Sequence, residues 1–199
     1  MKIFIATKNQ KKLTELSRIL IPMGFEVLCE KDFNEDFPDV EENGTTFEEN
    51  AIIKAAAGLN NTGLISVADD SGICVDYLDG APGIFSARYS GEHGDDQTNN
   101  EKLLAELSGV PMEKRTARYV AAIACVFPDG REPIVVEGRT QGIILKEGRG
   151  KAGFGYDPLF YYEPYQKTFA ELSADEKNAI SHRGKAIELF AKELKKINL

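Results

Sequence analysis

The feature that most constrains the fold is the apolar run at residues 117–127, the longest strand signal in the chain. Pro128-Asp129-Gly130-Arg131 follows as a turn and leads into a second run at 134–137, so the two runs predict a hairpin. Elsewhere, apolar runs interleave with helical periods. Residues 2–6 read as a strand, 7–12 as a polar loop, and Leu13, Leu16, Ile19 and Leu20 as one face of a helix that Pro22 and Gly24 end. A strand at 25–29 and an acidic, irregular stretch at 30–43 come next. Thr46 stands three residues before Glu49, a capping-box spacing, and Phe47, Ala51, Ile52, Ala55, Ala56 and Leu59 line one face of the helix that Gly63 closes. Residues 64–68 and 73–78 read as two buried strands separated by Asp69-Asp70-Ser71-Gly72. A short amphipathic helix is predicted around 102–107, and a last one from Ser181 with Ile187, Phe190, Leu194 and Ile197 turned to the core. Strands interleaved with helices, plus one long hairpin, predict an α/β fold: a mixed, strongly twisted central sheet flanked by helices, with a small lobe around the hairpin and the active site in a cleft. No linker or repeat divides the chain, so residues 1–199 are expected to form a single domain.

Charge and length narrow the function. The 199 residues are 42% hydrophobic, which supplies a core, while 24 basic against 32 acidic residues leave a net charge of -8. That is the wrong sign for a partner of nucleic-acid polymers or anionic membranes. No stretch approaches the roughly 18 to 20 apolar residues of a membrane span, and the opening apolar run is too short for a signal peptide. A soluble, unexported chain is expected. Cys29, Cys74 and Cys125 are widely separated, which indicates neither a disulfide framework nor a zinc site, and they read as small apolar residues in strands.

Four segments hold residues suited to chemistry. Lys8, Lys11 and Lys12 in the first loop open a helix, an arrangement that makes either an anion site or a solvated polar connection. Asp69 and Asp70 point to opposite faces, so one of them could share Mg²⁺ with Glu41 or Glu42, or the segment is a polar turn with an Asp cap. Gly148-Arg149-Gly150-Lys151-Ala152-Gly153 matches the dinucleotide fingerprint, but Phe154-Gly155-Tyr156-Asp157-Pro158 follows where a helix should start. It reads instead as backbone bending around a flat ligand. His93, beside Glu92 and Asp95, reads as solvated; His182-Arg183 reads either as helix-terminal decoration or, because Arg183 opposes the helix dipole there, as a hint of function.

Six collinear blocks resemble a known family: T-K-N-Q-K-K at 7–12, E-E-N-G-T-T-F-E-E-N-A at 41–51, A-D-D-S-G at 68–72, G-A-P-G-I-F-S-A-R-Y-S-G at 80–91, G-F-G-Y-D-P at 153–158 and I-S-H-R-G at 180–184. Together they are similar to the inosine/xanthosine triphosphate pyrophosphatases. The resemblance implies Mg²⁺-dependent hydrolysis of ITP, dITP and XTP to the monophosphate and pyrophosphate by a cytoplasmic homodimer. It implies that Thr7, Lys8, Asn9, Gln10, Lys11 and Lys12 grip the triphosphate, that Asp70 is general base and metal ligand, and that Glu41, with Glu42 as the neighbouring alternative, is the second metal ligand. Ser71, Phe154, Gly155, Tyr156, Asp157 and Lys177 would contact substrate, and His182 and Arg183 would read the base. Where many members have glycine before the last lysine of the first loop, this chain has Lys11. Donors on His182 and Arg183 suit a 6-oxo purine and meet the 6-amino group of adenine as donor against donor. The S-H-R block argues against a pyrimidine triphosphate pyrophosphatase, and an intact Asp70 argues against a non-hydrolysing sensor.

Overall fold

A computed structural model describes residues 1–91 and 95–197. His93, read above as solvated, lies outside the described residues. In chain order the elements are β1 (Lys2–Ile5), α1 (Gln10–Leu20), β2 (Glu26–Leu28), α2 (Phe47–Thr62), β3 (Ile65–Val75), α3 (Asp96–Glu106), β4 (Thr116–Val126), β5 (Ile134–Ile144), β6 (Phe160–Tyr162), β7 (Lys167–Thr168), α4 (Ala174–Ile180) and α5 (His182–Lys195), with short 3-10 turns between them. The strands form one open sheet in the order β2-β1-β3-β4-β5-β6-β7. β1 runs parallel to β2 and β3, whereas β6 is antiparallel to β5 and β7, so the sheet is mixed. β4 and β5 are hydrogen-bonded neighbours joined by residues 127–133, and a connection that short makes them the expected hairpin. No helix among the described residues is long and apolar enough to cross a membrane.

Two compact units make up the chain. The first comprises residues 1–70, 121–138 and 185–199, the second 71–120 and 139–184, so β3, β4 and β5 each contribute to both. In the first unit the alternation of β1 decides the packing. Ile3 and Ile5 join Leu16 and Leu20 of α1 and Ile187, Phe190 and Leu194 of α5 in one core. Phe4, between them, points the other way, toward the Phe33 and Phe37 rings and toward α2, where a Cβ on Gly58 would come within 2.9 Å of its ring. The second unit has its own core, built on Ile73, Leu103, Leu107, Tyr119, Phe160 and Phe169. There the buried Arg115 donates to the carbonyls of Leu107 (2.7 Å), Ile144 (2.7 Å) and Leu145 (2.8 Å), tying the end of α3 to the end of β5.

Three expectations change. The predicted strands at 64–68 and 73–78 are one continuous strand, β3, running through Asp69-Asp70-Ser71-Gly72. Polar residues read as a break when only local pattern is considered, yet lysines from two helices pair with these carboxylates. On α2 the buried stripe is Phe47, Asn50, Ala51, Ala55 and Gly58, with Ile52, Ala56 and Leu59 only half-buried. Cys29 lies outside the strands and is half-buried, whereas Cys74 in β3 and Cys125 in β4 are buried, and burial pushes the Cys125 thiol up to about 12.

Carboxylates cap several helical turns. Glu49, Glu171, Glu176 and Asp95 accept from the backbone N–H groups of Thr45, Thr168, Ser173 and Thr98, which holds each carboxyl below its ordinary range. A group whose folded pKa is depressed adds stability above its unfolded value, and that stability is lost as pH falls through the folded one. The melting temperature is therefore expected to hold from neutrality down to about pH 4.5 and to fall progressively below it. A thermal-shift series that stays flat to about pH 3 contradicts this.

Candidate functional site

Within the first unit, the parity of β3 sorts the two aspartates. Asp69 shares a face with Ile65 and Val67, the face covered by α1 and α5, and Lys12 of α1 reaches it at 3.0 Å. Asp70 lies on the opposite face, where Lys54 of α2 donates to its Oδ1 at 3.0 Å and Asn50 of α2 to its Oδ2 at 3.4 Å. Asn50 and Lys54 are four residues apart, hence on one side of the helix. Lys54 Nζ also binds Glu42 Oε2 at 3.1 Å. Glu42 is brought there by a tight fold of the preceding loop: Gly44 N–H donates to Asn50 Oδ1 at 2.8 Å, and a Cβ on Gly44 would lie 2.7 Å from that oxygen. Glu41, its neighbour, is exposed, so it is Glu42 that shares a lysine with Asp70.

The electrostatics of this cluster favour a base. Burial pushes the Asp70 carboxyl above its ordinary value and the Glu42 charge adds to the rise, while Lys54 opposes it. Burial by itself would lower the Lys54 ammonium, but Asp70, Glu42 and Asp69 together outweigh that and raise it. Lys54 thus stays charged between two carboxylates. Lys12 pairs with Asp69, and Lys54 pairs with both Asp70 and Glu42. Among the described residues no group of three or more His, Cys, Asp and Glu side chains could hold a metal by itself. Mg²⁺ does not require one, since it commonly takes one or two carboxylates and completes its shell with phosphate oxygen and water. The hard oxygen donors of Asp70 and Glu42, already sharing one cation, fit that chemistry.

The first loop is more self-satisfied than a bare anion site. Asn9 caps α1, and its Oδ1 accepts from the N–H groups of Lys11 (2.9 Å) and Lys12 (3.3 Å), while Thr7 Oγ1 accepts from Asn9 N–H. Lys8 turns outward to Asp39 at 2.5 Å, Gln10 and Lys11 are exposed, and Lys12 turns inward to Asp69. Thr7, Lys8, Asn9 and Gln10 line a cavity of about 520 Å³ together with Phe33 and Asn34.

The second unit gathers the remaining expected residues around Asp157. Its buried carboxylate accepts from Phe154 N–H at 2.8 Å and from Lys177 Nζ at 2.5 Å, and Tyr119 Oη reaches it at 3.5 Å. Gly153, at φ +84°, leaves room for that carboxylate, since a Cβ there would lie 2.1 Å from Asp157 Oδ2. The glycine loop therefore bends around its own chain at this point, and no helix begins in it. Lys177 Nζ stands 4.8 Å from the centre of the Phe154 ring, and the Arg183 guanidinium 5.8 Å from it. Arg183 Nη2 donates to Ser71 Oγ at 3.1 Å. The His182 imidazole stacks on Tyr119, with centroids 4.6 Å apart and planes 9° from parallel. Ser181 caps α5 through Gly184 N–H and so places His182 and Arg183, both buried, in its first turn. Tyr156 is buried and donates to the Ser86 carbonyl at 2.8 Å, which makes it a support of the loop. Gly155 is held by α3, its N–H donating to Asp96 and its carbonyl accepting from Asn100.

Sequence reasoning passed over Lys54, Asn50, Tyr119, Asp96 and Asn100. For Lys54 and Asn50 a signal exists, because both are polar residues on the core-facing side of a helix, where such residues need partners. Tyr119 sits unmarked within an apolar strand, and nothing local distinguishes it.

A model of the Ham1 family matches residues 3–193. A dITP/XTP pyrophosphatase of Desulforamulus reducens is 51% identical over 94% of this chain and 92% of its own length. Another dITP/XTP pyrophosphatase, from Geobacter sulfurreducens, is 50% identical over 97% of this chain and 96% of its own. Among solved structures, a HAM1 protein from Coxiella burnetii matches with a TM-score of 0.91 at 40% identity, covering 99% of this chain and all of that one.

Proposed function

Because the chain belongs to the Ham1 family, we propose that it hydrolyses deaminated purine nucleoside triphosphates, namely ITP, dITP and XTP, to the monophosphate and pyrophosphate. The observation that carries this to the level of residues is the buried Asp70, whose raised pKa suits a general base, beside Lys54 and Glu42. Asp70 takes a proton from water, the water oxygen attacks the α-phosphorus, and the bond from that phosphorus to the bridging oxygen breaks as pyrophosphate leaves. Lys12, with Thr7, Lys8, Asn9, Gln10 and Lys11 around it, supplies the first-loop groups for the phosphates. Asp70 with Glu42, or with Glu41 after a shift of the loop, would hold Mg²⁺. When bound, that ion supplies charge neutralisation on the phosphate oxygens. Residence in the cytoplasm and assembly as a homodimer belong to the same reading, and sedimentation of the purified chain tests the second.

Base recognition falls to the second unit, with Lys177 and Arg183 over the Phe154 ring, Ser71 bonded to Arg183, and His182 stacked on Tyr119. Donors on His182 and Arg183 favour a 6-oxo group over a 6-amino group, and an unpaired polar group in such a site is strongly disfavoured. Incubation with ITP, dITP, XTP, ATP and GTP, followed by identification of both products, tests the proposal. Pyrophosphate release with the deaminated purines preferred is the expected result, and orthophosphate release or a preference for ATP overturns it. Arg183→Ala is expected to narrow the ITP-over-ATP ratio by about tenfold or more. An unchanged ratio removes Arg183 from base recognition.

A further inference from the structure

Both backbone groups of Gly155 are held by side chains of one helix. Its N–H donates to Asp96 Oδ2 at 2.6 Å, and its carbonyl accepts from Asn100 Nδ2 at 2.8 Å. Asp96 and Asn100 are four residues apart in α3 and so project from the same side. The second hydrogen of the Asn100 amide goes to the Asp96 carbonyl at 2.7 Å, which fixes the amide plane. α3 itself is a firm base. Asn99, buried, accepts from Ser90 N–H and donates to the Ala87 carbonyl, and Leu103 lies in the core.

These bonds have a geometric consequence for the neighbouring ring. The Phe154 N–H is held by Asp157, and the next peptide N–H, that of Gly155, by Asp96. With the peptides on both sides of Phe154 anchored, its backbone angles and the direction of its Cα–Cβ bond are set, which limits the rotamers open to its ring. Lys177 and Arg183 are both arrayed over that ring. Gly155 adopts φ +60°, a left-handed conformation in an irregular segment, so the two side chains do the work that a strand ladder or helix would otherwise do.

We propose that Asp96 and Asn100 are positioning residues for purine selection: they clamp the peptides flanking Gly155 and thereby hold the Phe154 ring, with Lys177 and Arg183 over it, in the geometry that admits the correct base. This rests on the assignment of base recognition to those three residues. Neither Asp96 nor Asn100 touches the reacting atoms in this scheme. Their loss therefore weakens selection while leaving the hydrolytic step intact.

Asp96→Ala, Asn100→Ala, Asp96→Asn and Asp95→Ala, each compared with the wild-type enzyme for kcat and KM on ITP and ATP and for melting temperature, test the proposal. Asp95 is the N-cap of α3, accepting from Thr98 N–H, and does not touch Gly155, so its replacement separates loss of helix stability from loss of the clamp. Asp96→Ala and Asn100→Ala are each expected to raise KM for ITP about tenfold and narrow the ITP-over-ATP ratio. Their kcat for ITP should stay within about threefold of wild type. Asp96→Asn keeps an acceptor oxygen for the Gly155 N–H and should recover most of the loss, while Asp95→Ala should lower the melting temperature without moving KM. An ITP KM that stays at the wild-type value in both alanine variants, or that moves no further than in Asp95→Ala, overturns the clamp, as does a fall in kcat with KM unchanged. If Asp96→Ala does not fold, Asn100→Ala carries the same comparison. A wild-type enzyme without preference for ITP over ATP overturns the base-recognition reading and this proposal with it, an outcome distinct from a selective enzyme indifferent to the variants.

Discussion

Asp70→Asn is expected to reduce turnover of ITP by about a thousandfold or more, because it removes the carboxylate proposed to take the proton from the attacking water. The substitution keeps the shape of the side chain. Its carbonyl oxygen can still accept from Lys54, although the new amide meets Asn50 as donor against donor. Two effects on stability oppose each other: a neutral amide relieves the desolvation cost of the buried Asp70 carboxylate, but it leaves Lys54 with Glu42 as its remaining paired carboxylate in this cluster. Nucleotide binding should survive, since the first-loop lysines and the base-recognition residues are untouched. Steady-state kinetics, calorimetric titration with ITP and a thermal melt together decide the matter. Turnover above a tenth of wild type, or a collapse of binding with turnover retained, removes Asp70 from the role of base.

Arg115→Ala is expected to have the largest effect on stability. Arg115 is 2% exposed, and three backbone carbonyls, from Leu107, Ile144 and Leu145, accept from its guanidinium. No alanine can replace those donors, and each buried acceptor left without a partner costs about 1–3 kcal/mol. Allowing for partial solvation of the Leu145 carbonyl, a loss of about 3–5 kcal/mol follows. For a chain of this size that corresponds to roughly 10 °C in melting temperature. Arg115→Lys should recover only part, because one ammonium on a flexible stem cannot reproduce a planar fork reaching three carbonyls. Denaturant titration of the three proteins checks this, and a loss below about 1 kcal/mol in the alanine variant contradicts it. At a temperature where the variant is folded, its ITP kinetics should match wild type.

Helix starts and the strand–helix alternation were legible before any tertiary information. Thr46 caps α2 and Ser181 caps α5 as their local patterns require, although Glu49 closes the cap by accepting from Thr45 rather than from Thr46 alone. Of the residues expected to do chemistry, Lys8, Asn9, Gln10, Lys11 and Glu41 are exposed, and the others lie within buried or half-buried networks. The Asp69-Asp70-Ser71-Gly72 segment shows where local reading stops. Two carboxylates in succession suggest a turn, because a buried carboxylate without a partner is prohibitive, and no lysine lies near them in the chain.

By itself, the sequence determined which chemical groups exist, that Asp69 and Asp70 face opposite ways in extended backbone, and that Asn50 and Lys54 share a helical face. Those are consequences of period 2 and period 3.6, which act over a few residues. Tertiary structure alone decided that Asp69 meets Lys12 while Asp70 meets Lys54, that Glu42 rather than Glu41 shares that lysine, and that Asp96 and Asn100 hold Gly155 from more than fifty residues away. The reason is physical. Such pairs are made when helices pack onto a strand or loop through apolar contacts that carry no information about charge, and the polar groups they bring together acquire their pKa shifts and their roles only after that burial.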